Sequence, residues 1–385
     1  MEHYFNKIYG VLLELVSRFL LLFYKQQKER VLISCSEGMF FNGNSKQLFE
    51  TMFAQDKDVY FITRNKKLFK KLKIEYGKNI VFSYSFMAVK IFVTSRIIIL
   101  SNGIYDITPF NPFHKEKKVI NLWHGFPFKA IGAKMNNLSP KEIDEFLKVY
   151  SQTDYMISSS EIESEILSES FGIPLENIIK TGYPRYDILL SPKSNLIENL
   201  HLPLGKKIIL YAPTYRDATD LILFPFDDFS SRKLNEFLLE ENILLLVRLH
   251  KNDRHKIGGK ISFNDNIVYL DQDMLEEVNE ILPFIDLLIT DYSGIFMDFA
   301  VLRKPMIFIP YDIEEYTKDR GMNVDLFEIY PGDIVDSFYK FKKDVKYNLE
   351  NNIQQNVKLD SFLSKFHQYQ LGKATQNLIN FIDNI

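Results

Sequence analysis

The chain alternates short apolar runs with amphipathic stretches. Apolar segments at 31–35, 59–63, 80–82, 96–101, 118–122, 155–158 and 178–181 have the length of strands. The 96–101 run is β-branched throughout its centre, as a strand buried on both faces of a parallel sheet should be. The stretches between them, at 46–54, 66–76, 85–94, 139–149 and 160–171, read as helices, the last opened by a serine and an acidic first turn. Residues 191–205 break the pattern with two prolines, serines, asparagines and a glycine, and are the expected linker. A second alternation follows, with strands at 207–211, 243–249, 267–270, 287–290 and 306–309 and helices at 231–240, 274–282 and 295–302. The tail from 333 onward is helical and amphipathic. The pattern predicts an α/β protein with two Rossmann-like domains, 31–192 and 205–385.

The first 30 residues depart from this pattern. They are strongly apolar from Phe5 to Tyr24 but interrupted by Glu14 and Arg18, and followed by Lys25, Lys28, Glu29 and Arg30. No uncharged run reaches the ~18 residues a spanning helix needs. On a helical wheel Lys7, Glu14 and Arg18 share one side, and Leu12, Leu15, Val16, Phe19, Leu20 and Phe23 the other. Two readings stand: an amphipathic helix lying in an anionic membrane surface, or a helix packed on the first domain. No small-residue cleavage site follows it, which argues against a signal peptide.

Length and composition narrow the function classes. A chain of 385 residues with 46% hydrophobic and 25% charged residues is an ordinary globular protein long enough for two cores. The formal charge of −3 argues against a nucleic-acid partner. The single cysteine, Cys35, rules out an internal disulfide and a cysteine-rich zinc site. There is no Walker loop, no GxGxxG after the first strand and no HExxH. No cofactor is required by the sequence; a role for Mg²⁺ stays open, with Asp286, Asp291 and Asp298 as carboxylates that could be argued into a site.

Four polar segments each follow an apolar strand: Trp123-His124-Gly125, Ala212 to Asp217, Arg248-Leu249-His250, and Asp291-Tyr292-Ser293-Gly294. In open parallel sheets ligands bind beyond the carboxyl ends of the strands. Two such domains facing one another would gather all four around one cleft. Each alone has a plain structural explanation, such as a hydrogen-bonded core histidine, a surface ion pair, a solvated edge or a helix cap. Together, Arg216, Arg248, His250 and the Ser293/Gly294 turn suggest donors for an anion, phosphate above all.

The ordered segments WHGFPFKAIG, TGYPRYD, YAPTYRD, RLH, TDYSGIFMDFAVLRKPMIF, YDIEEYTKDRG and PGDIV resemble the CDP-glycerol glycerophosphotransferase family, from about Asn42 to the C-terminus. The resemblance implies a GT-B-like architecture, two Rossmann-like domains facing a central cleft, with the donor bound mainly by the second. It also implies a place at the cytoplasmic face of the cell membrane, where the acceptor is an isoprenoid-linked saccharide, in teichoic acid or capsule synthesis. His124 matches the histidine read as catalytic base, and Lys129 and Gly132 complete its motif. Arg216 and His250 match residues placed near the donor pyrophosphate, and Ser293 and Asp298 the DYS…D element. Two departures stand out: Gly294 where the family often has a second serine, and Lys251 where proline commonly follows the histidine of RLH.

The expected reaction moves glycerol phosphate from CDP-glycerol to an acceptor hydroxyl and releases CMP. His124 would take the hydroxyl proton, while Arg216, His250 and Ser293 would hold the diphosphate. A CDP-ribitol transferase, a nucleotide-sugar glycosyltransferase and a non-catalytic membrane scaffold remain as alternatives.

Overall fold

The computed structural model describes residues 16, 19–20, 23–110, 117–192, 196–216, 221–249, 261, 263–314, 321–351, 357–369 and 371–385. They form two compact units, Met1–Asp187 with Gln368–Ile385, and Ile188–His367. In the first, seven parallel strands are ordered β3-β2-β1-β4-β5-β6-β7 among the described residues. They are β1 (Gln27–Ile33), β2 (Val59–Thr63), β3 (Ile80–Phe82), β4 (Ser95–Leu100), β5 (Lys118–Asn121), β6 (Tyr155–Ser158) and β7 (Ile178–Lys180). The chain starts mid-sheet, winds out to β3 and returns to β4, so the strand order reverses between β1 and β4. The second unit repeats the plan in the order β10-β9-β8-β11-β12-β13, again all parallel, with its reversal between β8 and β11. Its strands are β8 (Lys207–Tyr211), β9 (Ile243–Val247), β10 (Ile267–Tyr269), β11 (Leu287–Thr290), β12 (Met306–Phe308) and β13 (Asp333–Ile334). A reversal leaves a crevice at the carboxyl edge of a doubly wound sheet, the usual ligand position.

Local chemistry accounts for most element boundaries. β9 (ILLLV) is buried at every residue, because helices cover both faces of its sheet. Ser139 and Glu142 form a capping box ahead of Pro140–Tyr150. Asn65, Ser85 and Ser160 each cap the helix that follows. Gly172 ends Glu161–Phe171 in the left-handed conformation.

Three expectations need correction or restriction. Residues 274–282 form no long helix. Two 3-10 turns, Val278–Glu280 and Leu282–Phe284, stand there, since Glu277 is extended and Pro283 cannot donate within a helix. The tail also divides differently, since Gln368–Ile385 belongs to the first unit rather than the second. The last helix, Ala374–Asn384, has no cap of its own at Lys373. Its first N–H groups, of Ala374 and Thr375, donate instead to the Asp187 carboxylate at 3.2 and 2.9 Å. Its Leu378, Ile379 and Ile382 are buried. Of the N-terminal segment, Leu20 and Tyr24 pack against the β1–β4 core, and Phe19 and Phe23 stay exposed. Most of that segment lies outside the described residues. No helix among those described is long and apolar enough to cross a membrane.

Candidate active site

In the first unit the polar residues after β5 are held by backbone restraints. Trp123 has φ +50, a conformation a bulky residue adopts only when its surroundings impose it. Its N–H donates to Asn121 Oδ1 (2.9 Å), and its carbonyl accepts from Asn44 Nδ2 (3.1 Å). The next carbonyl, that of His124, accepts from Arg185 Nη1 at 2.6 Å. Gly125 has φ +142, and a Cβ there would sit 3.0 Å from Arg185 Nη2. A glycine is therefore what lets the guanidinium reach the His124 backbone.

The imidazole of His124 rests 4.1 Å from the Trp123 ring, centroid to centroid. Solvent reaches the side chain, while protein crowds the ring from behind. That crowding is the first cause, and the Arg185 charge the second, that lowers its pKa to about 4 from the ordinary 6.5. A backbone hydrogen bond to Ser101 and the charge of Asp106 act in the opposite direction. Asp106, itself buried, accepts from Ser101 N (2.7 Å), Asn102 N (2.9 Å) and Glu37 N (2.7 Å). It ties the loop after β4 to the loop after β1, at the reversal. The result is a neutral, reachable imidazole on a fixed backbone, a group able to accept a proton at neutral pH.

Behind this lies a layer that the sequence motifs contain without announcing. Glu163 is fully buried and accepts from Ser159 N and Oγ (both 2.7 Å) and from the Tyr183 hydroxyl (2.6 Å). Burial raises its pKa, against those hydrogen bonds and the Arg185 charge. Arg185 also lies over the rings of Tyr183 and Tyr186, 5.3 and 5.7 Å from their centroids. Arg185 lies within TGYPRYD, and its role, like those of Asp106 and Glu163, shows only in the fold. The sequence signal is a charged residue five or six positions beyond the end of a strand.

Lys129 is half-buried. Gly132 has φ +54, and a Cβ there would fall 2.3 Å from the Ser170 carbonyl oxygen and 2.6 Å from the Phe146 ring. Gly132→Ala is expected to destabilise the first unit by ~1–3 kcal/mol through overpacking and left-handed strain. Chemical denaturation checks this, with Gly205→Ala, whose Cβ would meet nothing within 4 Å, as control for the backbone cost alone.

In the second unit two predicted anion ligands, Arg216 and Arg248, are turned inward. Arg216 lies between two carboxylates. Its Nη2 donates to Asp291 Oδ2 (2.8 Å) and Asp312 Oδ1 (2.8 Å), its Nε to Asp312 Oδ2 (2.7 Å), and its Nη1 to the Thr214 carbonyl (2.7 Å). Burial alone would lower its pKa, but the two carboxylates outweigh burial and raise it. Asp291 also accepts from Thr214 N and Oγ1 and from Tyr292 N, at 2.8, 2.6 and 2.6 Å. This network fixes the turn after β11 against the segment after β8, across the second reversal. With one cation and two carboxylates, it does not by itself attract an anion.

Arg248 donates to the carbonyls of Leu270 (3.0 Å) and Glu276 (3.2 Å), so it organises the loop after β10. Asp298 is buried and accepts from Asn279 Nδ2 at 2.6 Å. Asp286 instead accepts from Ile208 N, so the three aspartates considered for Mg²⁺ have separate partners. Among the described residues no group of three or more His, Cys, Asp or Glu could hold a metal ion. His250 lies outside the described residues.

Ser293 is half-buried and Gly294 exposed. Gly294 is the N-cap of Ile295–Ala300, with φ −57, and no side chain caps that helix. A Cβ on Gly294 would meet nothing within 4 Å. Gly294→Ser should therefore fold normally and match or exceed the parent's stability, by up to ~1 kcal/mol, because the unfolded chain loses freedom. A lowered melting temperature would show that this turn needs glycine for its backbone.

A sequence profile of the CDP-glycerol:poly(glycerophosphate) glycerophosphotransferases matches residues 16–384. A teichoic acid poly(ribitol-phosphate) polymerase of Bacillus spizizenii is 28% identical over 367 residues, 92% of this chain and 56% of the relative. A teichoic acid glycerol-phosphate primase of Bacillus subtilis is 31% identical over 311 residues, 77% of this chain and 76% of the primase. The chain spans about half the length of the first curated relatives it matches. Among solved structures, the wall teichoic acid polymerase TagF superimposes with a TM-score of 0.76 at 24% identity, over 100% of this chain and 97% of the other.

Proposed function

The chain belongs to the CDP-glycerol:poly(glycerophosphate) glycerophosphotransferase family, and from that premise we propose that it transfers a polyol phosphate, glycerol phosphate first, from a CDP-linked donor to an acceptor hydroxyl. The observation that carries this reading is the neutral imidazole of His124, reachable by solvent and set on a clamped backbone at the carboxyl edge of its sheet. His124 takes the proton of the acceptor hydroxyl as its oxygen attacks the phosphorus that bears glycerol. The bond from that phosphorus to the bridging oxygen breaks, and CMP leaves with the electron pair.

The two units serve as the acceptor and donor halves of a GT-B-like enzyme. Donor contacts fall to the second unit, through Ser293, the backbone N–H groups of its turn, and His250. Arg216, Arg248 and Asp298 act indirectly in this reading, by holding the turns that meet the donor. The TagF polymerase has been solved after soaking with CDPG, which supports a cytidine diphosphate donor here. The acceptor is a lipid-linked saccharide, in teichoic acid or capsule synthesis, met at the cytoplasmic face of the membrane.

A donor panel tests the proposal. Turnover with CDP-glycerol, CDP-ribitol and UDP-N-acetylglucosamine is expected to be fastest with the first and absent with the last. Ribitol transfer above glycerol transfer would move the donor assignment to the longer polyol. Turnover with the nucleotide sugar alone would refute polyol-phosphate transfer.

A further inference from the structure

The buried carboxylate of Asp106 is surrounded by neutral donors. Glu37 N donates to its Oδ1 (2.7 Å). Ser101 N (2.7 Å) and Asn102 N (2.9 Å) donate to its Oδ2, and the Ser101 hydroxyl lies 3.1 Å from the same oxygen. The rest of the residue is held too. Its N–H donates to the Gly103 carbonyl (3.0 Å), and its own carbonyl accepts from Ser34 Oγ (2.5 Å). A loop anchor would need no more than this. The identity of the peptide it grips adds something further.

The Ser101 carbonyl and the Asn102 N–H belong to one peptide group. A peptide is planar and trans, so its C=O and N–H point in opposite directions, and fixing one end aims the other. Asp106 holds the N–H end, and a ring N–H of His124 donates to the C=O end. The next carbonyl, that of Asn102, accepts from the Tyr150 hydroxyl (2.9 Å) and Asn121 Nδ2 (3.3 Å). Restrained on both sides, the peptide cannot turn away from the ring. A carboxylate on its N–H also polarises the group and strengthens the carbonyl as an acceptor.

The flanking backbone is strained. Ser36 and Glu37, after β1, have φ +46 and +57, and Trp123, after β5, has φ +50. Ser36 N donates to Ser101 Oγ (2.9 Å) and Glu37 N to Asp106, so the loop after β4 holds both strained residues of the loop after β1. Such strain persists only where the surroundings over-determine it, and it collects at working sites.

We propose that Asp106 is a positioning residue for His124, acting through the Ser101–Asn102 peptide to keep the ring in one tautomer, its N–H on the Ser101 carbonyl and its bare nitrogen free for the acceptor hydroxyl. This rests on His124 being the base, as proposed above. Which ring nitrogen carries the proton is set by the hydrogen bond the ring already makes. When the bare nitrogen takes the hydroxyl proton the ring becomes a cation, which the Asp106 charge behind the peptide favours and the Arg185 charge opposes.

Nitrogen-15 NMR of the full-length protein with labelled histidines tests this, together with kcat and KM for CDP-glycerol. The His124 signals are those missing from His124→Ala. The parent should show a single neutral tautomer at that ring. Asp106→Ala should show a mixture, with kcat at least tenfold lower and KM unchanged, since the donor is assigned to the second unit. Asp106→Asn, which can keep one oxygen on the Asn102 N–H, should restore part of both the tautomer ratio and kcat. Mixed tautomers in the parent would overturn the proposal even if neither variant folded. So would parental kcat in Asp106→Ala, and with His124→Ala inactive the base itself would stand. A variant that loses kcat and melting temperature together while its ring keeps the single tautomer would make Asp106 a folding residue only. Parental turnover in His124→Ala would instead remove the base, and the role of Asp106 with it.

Discussion

His124→Ala should cut turnover by ~10²–10⁴, the range a positioned general base supplies, with little change in melting temperature. The side chain is reached by solvent, so its removal leaves no dry cavity. The pH profile adds a sharper expectation. The neutral ring is the base, and its pKa is lowered to about 4. Activity that depends on it is therefore retained as pH falls through 6.5, and is lost only as pH approaches 4. An ordinary histidine would give an acid limb near ~6.5. Steady-state rates between pH 4 and 8 check both points. Parental turnover in the alanine variant would remove His124 from the chemistry.

Arg216→Ala should be the most damaging single change to stability. It would leave Asp291 and Asp312 facing each other with no cation between them, and Asp291 is buried. Breaking a buried pair by removing one partner costs ~3–5 kcal/mol. The loss should appear in the unfolding of the second unit, followed by chemical denaturation. Adding Asp312→Asn should recover part of it, because the repulsion is then relieved. Activity should fall with the loosened turn. A variant that melts like the parent yet loses donor affinity would mean that the guanidinium serves the diphosphate directly.

Sequence alone made the architecture legible because parallel sheets write their burial into short contiguous runs. The strand Ile243–Val247, Leu at three of its five positions, could hardly be read otherwise. Capping is local too, so the helix opened by Ser160 and its acidic first turn is readable within four residues. The location of His124 at a strand end was legible for the same reason.

What escaped depends on distant partners. Arg216 looked like a phosphate ligand because its two carboxylates lie 75 and 96 residues away in the chain. Nothing local to Asp187 shows that it caps a helix beginning 187 residues later, so the sequence carries no sign that the tail returns to the first unit. The apolar stripe of 274–282 resembles a helix, but the extended backbone at Glu277 and the proline at 283 leave only single turns. Arg185 was invisible as a clamp because the glycine that admits it, Gly125, sits 60 residues upstream.

The most direct measurement follows the phosphorus. CDP-glycerol labelled only at the phosphate that bears glycerol is incubated with the enzyme and acceptor, and the products are separated. Attack by the acceptor hydroxyl at that phosphorus predicts that the label enters the acceptor product and that unlabelled CMP appears in equal amount. Label retained in a released nucleoside diphosphate, with only the polyol carbon skeleton transferred, would contradict the account.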